Sequence, residues 1–180
     1  MERKILQNLI DWKNSKHRKP LILRGARQVG KTYILKEFGK RYYKNVAYFN
    51  FDYNTGLKDL FEKTKDPNRL LDQLAILNGE KIEEKDTLII FDEIQECTEA
   101  LNSLKYFNEL ANGYHIVCAG SLLGIRLSHT TFPVGKVDFL DMYPMTFTEF
   151  LEADGGDNLN TYLKNIDKIE NIPLTFFEPL

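Results

Sequence analysis

Apolar positions along the chain follow two alternating rhythms. Ile5, Leu6, Leu9 and Ile10 recur at helical spacing within residues 3–16, which predicts an amphipathic helix ending before Pro20. Leu21–Arg24 is a short apolar strand. A helix is predicted over Lys31–Tyr43, with Ile34, Leu35 and Phe38 on one face. Asn45–Phe51 reads as a second strand, and DYNTG after it as a turn. Leu57–Lys63 and Asn68–Asn78 are expected helices, the second opened by Asp66-Pro67 and closed by Gly79. Thr87–Phe91 is an unbroken apolar run, the pattern of a strand buried on both faces of a parallel sheet. A helix over Thr98–Ala111 stops at Asn112-Gly113, and His115–Ala119 is again a buried strand. Residues 124–136 read as a loop or hairpin, and Val137–Met142 as the fifth strand. Thr146 and Glu149 have capping-box spacing and open a helix running to about Ala153. Gly155-Gly156 breaks the chain, with a further helix over Leu159–Ile169.

Five apolar strands alternating with helices imply a parallel sheet covered on both faces. Ligands of such sheets bind beyond the carboxyl ends of the strands, so polar residues there are the ones to inspect. The 180 residues suffice for one well-packed domain with part of a second. No apolar run approaches the roughly 20 residues that span a bilayer. The N-terminal segment is charged and lacks signal-peptide features, so a cytoplasmic protein without a membrane partner is expected. Cys97 and Cys118 stand alone, outside any metal-ligand spacing, and are expected to be reduced. The net charge of -2 conceals an asymmetry, for residues 1–44 hold 13 Lys and Arg against 3 Asp and Glu. Such a segment can mark a surface for phosphates or nucleic acid, or simply solvate the outer faces of two helices.

One polar stretch at a strand end changes the picture most. Gly25–Thr32, GARQVGKT, matches G-x-x-x-x-G-K-[ST] at every fixed position, between a strand and a helix. Its glycines permit backbone geometry in which amide N–H groups point at phosphate oxygens. Lys31 can reach the β- and γ-phosphates of a nucleotide, and the Thr32 hydroxyl can bind Mg²⁺. The candidate nucleotide contacts are therefore Gly25, Ala26, Arg27, Gln28, Val29, Gly30, Lys31, Thr32 and Tyr33. About 60 residues on, the strand in LIIFDEIQ ends in Asp92-Glu93. Asp92 is the expected second Mg²⁺ ligand, and Glu93 the candidate to polarise an attacking water. Ser121, after the next strand, is either a γ-phosphate or water contact or a plain helix cap. Asn50 and Asp52 either face the same crevice or form a solvated turn.

Together GARQVGKT, LIIFDEIQ, CAGSLLG and GKVDFLDMYPMTFTEFL resemble the AAA-type ATPases of bacteria and archaea, which carry an ATP-binding core and a C-terminal domain of unknown function. The resemblance implies a three-layer α/β P-loop NTPase core with sheet order 5-1-4-3-2. It makes Asp92 and Glu93 the Walker B pair and puts Ser121 at the sensor position. It also implies a core over residues 1–154, followed over 155–180 by the start of a C-terminal helical region. That family shows Gly-Arg where this chain has Gly135-Lys136, and Lys supplies a point charge rather than a bidentate fork. Lys136 and Arg126 are the two candidates for a trans-acting finger. The implied activity is binding and slow hydrolysis of Mg·ATP, with Glu93, Lys31 and Ser121 as catalytic residues. A homo-oligomer or protein partner is expected to complete the site. Two rival readings are a nucleotide-dependent switch with negligible turnover and a DNA-associated ATPase.

Overall fold

The computed structural model describes residues 4–121, 135–147, 149 and 150. Residues Ile5–Tyr143 form one compact unit, while Lys4 and the described residues from Pro144 onward belong to a second. The helix expected over Leu159–Ile169, the expected boundary at residue 154 and most of the expected loop over 124–136 lie outside the described residues.

Element order follows the apolar rhythm closely. Helix α1 covers Lys4–Asn14, strand β1 Leu21–Gly25, α2 Lys31–Tyr42, β2 Asn45–Asn50, α3 Thr55–Lys63 and α4 Pro67–Asn78. Strand β3 covers Thr87–Asp92, a 3-10 turn Ile94–Glu96, α5 Thr98–Leu110, β4 His115–Ser121 and β5 Asp138–Asp141. All pairings are parallel, and the order across the sheet is β5-β1-β4-β3-β2. This is the P-loop NTPase arrangement, with β4 and β3 inserted between β1 and β2.

Side chains alternate cleanly between the two faces. Ile22, Phe49, Ile89, Phe91, Ile116 and Cys118 point into a core closed by α3, α4 and α5. Their neighbours Leu21, Leu23, Leu88, Ile90, Val117 and Ala119 point into a second core with α1 and α2. Central strands β3 and β4 are buried almost throughout, which is why their sequences show no polar alternation. Both cysteines are free and buried.

Local signals set the helix ends. Asp66 accepts from Asn68 N, Pro67 opens α4, and Gly79 closes it at φ 74°. Helix α3 begins at Thr55, earlier than its apolar spacing predicts, because the Asn54 side chain accepts from Leu57 N. In the second unit, Glu149 N donates to Thr146 Oγ1 at 3.2 Å and Thr146 N to Glu149 Oε2 at 2.9 Å. The expected capping box is therefore formed. No helix among the described residues is long and apolar enough to cross a membrane.

Candidate functional site

At the carboxyl end of the sheet lies a cavity of about 530 Å³. Arg27, Gln28, Gly30, Lys31, Thr32 and Tyr33 line one side, and Asp52, Glu93 and Glu96 also line it. The chain reaches this point from β1 through residues 26–30 and enters α2 at Lys31. Gly30 sits at φ 92°, a conformation that favours glycine, and takes the N-cap position of α2. Among the described residues no side chain caps this helix, and its first turn holds no acidic residue. Its leading N–H groups and positive dipole end therefore remain to serve an anion.

Gly25 is required for a different reason. A Cβ there would collide with the Met142 carbonyl oxygen and sit 3.3 Å from Val29 Cγ2. The backbone just after β5 thus closes directly on the start of the loop, and Met142 N donates to Arg24 O at 2.7 Å. Gln28, at φ 64°, is a non-glycine residue in the left-handed region, a local strain of the kind found at ligand sites.

Lys31 is nearly buried, and its ammonium donates to Gly25 O at 3.0 Å and Ala26 O at 2.7 Å. One of its three N–H groups remains. Burial pulls its pKa below the ordinary value, while the Glu93 and Asp92 carboxylates act in the opposite sense. Those opposing carboxylates tie the loop to β3 electrostatically.

Asp92 ends β3 at 3% exposure. Its Oδ2 accepts the Thr32 hydroxyl at 2.9 Å and the Tyr48 hydroxyl at 2.7 Å, while Oδ1 accepts Glu93 N at 3.1 Å. Glu93 adopts φ 50° and ψ 43°, turning the chain sharply into the 3-10 turn. Its Oε2 accepts from Gln95 Nε2, and its carboxylate lines the cavity. Such an arrangement brings a cation, an anion-binding helix end, a hydroxyl–carboxylate pair and a second carboxylate into one small space.

The AAA domain family matches residues 17–151 of the chain. The chain belongs to that family. Solved structures that share the fold include PCH-2 of C. elegans, 13% identical with a TM-score of 0.51 over 98% of this chain and 51% of that one. Drosophila ORC bound to DNA is 20% identical, with a TM-score of 0.52 over 88% of this chain and 48% of that one. The Aeropyrum pernix ORC1 protein in complex with DNA is 16% identical, with a TM-score of 0.50 over 86% and 48%. The chain spans about half the length of these solved chains. No curated protein matches it.

Within this AAA domain the remaining candidates fall in distinct places. Ser121 stands at the carboxyl end of β4 in register with Gly25, but it does not line the cavity. Asn50 is not a lining residue either. Its Oδ1 accepts Asp52 N at 2.8 Å and its Nδ2 donates to the Tyr48 hydroxyl at 3.3 Å, whereas Asp52 lines the cavity itself. Lys136 precedes β5, at the opposite end of the sheet, and pairs with Glu109 at 2.8 Å. Arg126 lies outside the described residues. Tyr48, Gln95, Glu96 and Met142 join or support the site without having been singled out in the sequence. Tyr48 is the informative omission: its spacing two residues before Asn50 puts both on one face of β2, which was the available signal.

Proposed function

We propose that this AAA domain binds Mg·ATP and hydrolyses it, slowly on its own and faster when a partner completes the site. The observation that carries this reading is the single cavity shared by Lys31, Thr32 and Glu93, with Asp92 bonded to Thr32 behind it. In the proposed reaction the triphosphate lies over the loop N–H groups and the first turn of α2. Thr32 and Asp92 suit Mg²⁺, which binds few protein oxygens and shares phosphate oxygens. Such an ion, when bound, neutralises charge developing on the phosphates.

Glu93 takes the proton of a water attacking the γ-phosphate in line, and the P–O bond to the leaving ADP breaks as the new one forms. Gln95 holds one oxygen of that carboxylate and so limits the directions in which Glu93 can accept the proton. Lys31 and the loop amides meet the negative charge that builds on the β–γ bridging oxygen. The proposed core runs over residues 1–154, with 155–180 beginning a further region. ATP is the proposed nucleotide and the cytoplasm the proposed compartment, with a protein partner or a second copy supplying what the lone domain lacks.

A DNA-associated role receives less support. ORC and ORC1 were solved with DNA, and the N-terminal segment here is basic. Yet Lys13 donates to Tyr42 O, and Arg18 donates to Asn112 O and lies over the Trp12 ring, so both take part in packing.

Phosphate release by wild type, Lys31→Ala and Glu93→Gln provides the test. Lys31→Ala is expected to lose nucleotide binding, whereas Glu93→Gln keeps it and slows release by about 100-fold or more. Release by Glu93→Gln at the wild-type rate overturns the base assignment. Tight binding by wild type without any release supports the switch instead.

A further inference from the structure

Resting on the Mg·ATP reading above, we infer that Tyr48 is a positioning residue for the metal-binding pair, holding Asp92 ready for the ion with its phenol hydroxyl. The hydroxyl lies 2.7 Å from Asp92 Oδ2, the same oxygen that receives the Thr32 hydroxyl at 2.9 Å. Thr32 has one proton to donate. If its oxygen turns a lone pair toward a cation, that proton must go on pointing at Asp92, so the carboxylate has to be in place beforehand.

Three groups reach Asp92 from three different elements. Thr32 comes from α2, the Glu93 amide from the turn after β3, and Tyr48 from the middle of β2. The first two lie in segments adjoining the nucleotide cavity, and residues 93–96 carry the left-handed turn at Glu93. Tyr48 instead belongs to a strand paired along its length with β3, with Tyr48 opposite Ile90 and Asn50 opposite Asp92. It supplies a reference point that does not depend on the loop.

The direction of its proton is also set. Asn50 Nδ2 donates to the Tyr48 oxygen at 3.3 Å, which leaves the phenol proton for Asp92. The ring is held too, since the Lys36 ammonium lies 3.6 Å from its centroid. Because Asp92 is almost wholly buried, water does not readily replace a lost donor.

Nucleotide affinity measured in EDTA and across a Mg²⁺ titration separates this role from simple packing. Tyr48→Phe is expected to leave metal-free ATP binding within about twofold and to raise the Mg²⁺ concentration for half-maximal tightening about tenfold. Tyr48→Leu, which also loses the ring, is expected to show the same Mg²⁺ shift together with lower thermal stability. A wild-type Mg²⁺ curve retained by Tyr48→Phe overturns the inference, as does a shift seen in Tyr48→Leu alone. Absence of nucleotide binding by the folded wild type, with or without Mg²⁺, overturns the underlying functional reading and this inference with it.

Discussion

At the amino end of the sheet, the Tyr43 hydroxyl meets His115 Nδ1 at 2.7 Å, and Trp12 packs edge-on against the imidazole with centroids 6.0 Å apart. At the carboxyl end, Asp92 gathers two hydroxyls and an amide, while Lys31 and Glu93 face open space. Each end buries a polar group on a central strand, His115 on β4 and Asp92 on β3. At the first, aromatic rings close over the pair, and burial lowers the His115 pKa to about 4, aided by Arg18, Lys13 and Lys85. At the second, the hydrogen bonds fix the orientation of groups that still face a cavity. A buried polar group in closed surroundings thus serves stability, while one with an open side is left available to a ligand.

Changing the charge at the open end breaks this comparison most severely. Asp92→Asn keeps an acceptor oxygen for the Thr32 and Tyr48 hydroxyls but loses the charge a cation needs. Phosphate release and Mg²⁺-dependent binding are expected to fall about 100-fold. Thermal unfolding is expected to shift little, because relieving a buried carboxylate offsets the weaker hydrogen bonds. A large loss of stability with unchanged Mg²⁺ dependence reverses the roles given to the two ends.

Gly25→Ala tests the wall behind the open end. The added methyl meets the Met142 carbonyl oxygen, a backbone atom that cannot swing aside as a side chain would. The cost is expected to be about 2–3 kcal/mol, with weaker nucleotide binding as the loop shifts. Denaturant unfolding and nucleotide titration measure the two effects. Stability equal to wild type contradicts the close approach.

That glycine also marks the limit of what the sequence discloses. All five strands were legible in the apolar pattern, and their order was legible only through the resemblance to the AAA-type ATPases. Asp92 and Glu93 were legible as acids at a strand end. Gly25 was legible as a motif position, but its neighbour Met142 lies 117 residues away, and the reason is close approach rather than a positive φ. Tyr48 has an ordinary strand-face position, and only the pairing of β2 with β3 brings its hydroxyl to Asp92. Gln95 stands in the quoted stretch LIIFDEIQ, yet its reach to Glu93 depends on the left-handed turn there. Its Oε1 is buried without a hydrogen-bond partner among the described residues. Pattern identifies elements and strand ends well; side-chain contacts across elements require the fold.

Acid should separate the two ends next. His115 is held neutral in the folded protein at a pKa of about 4, against about 6.5 when unfolded. The unfolded chain therefore binds more protons between these values, so stability falls as pH drops from about 6.5 toward 4. With the imidazole not wholly shielded from solvent, a loss on the order of 2 kcal/mol is expected over that window. His115→Phe should flatten this part of the profile while losing some stability at neutral pH, where the Tyr43 hydroxyl is left unpaired. An unchanged slope between pH 6.5 and 4 removes His115 from this role.

The smallest effect is expected from a pair at the open end that does not face the cavity. Arg24 donates to both Asp141 oxygens at 2.9 Å and lies 4.3 Å from the Phe139 centroid, tying β1 to edge strand β5. Both side chains remain partly exposed, at 27% and 39%, so solvent screens the pair. Arg24→Ala is expected to cost about 0.5–1 kcal/mol in denaturant unfolding, part of it from lost stacking rather than lost charge. Added salt should narrow the gap between variant and wild type, since the ionic share is screened and the stacking share is not. Mg²⁺-dependent nucleotide binding should stay within about twofold of wild type, since Asp92, Lys31 and Glu93 keep their partners. A tenfold loss of binding would mean that the β1–β5 edge governs the loop, and that position at the carboxyl end matters more than facing the cavity.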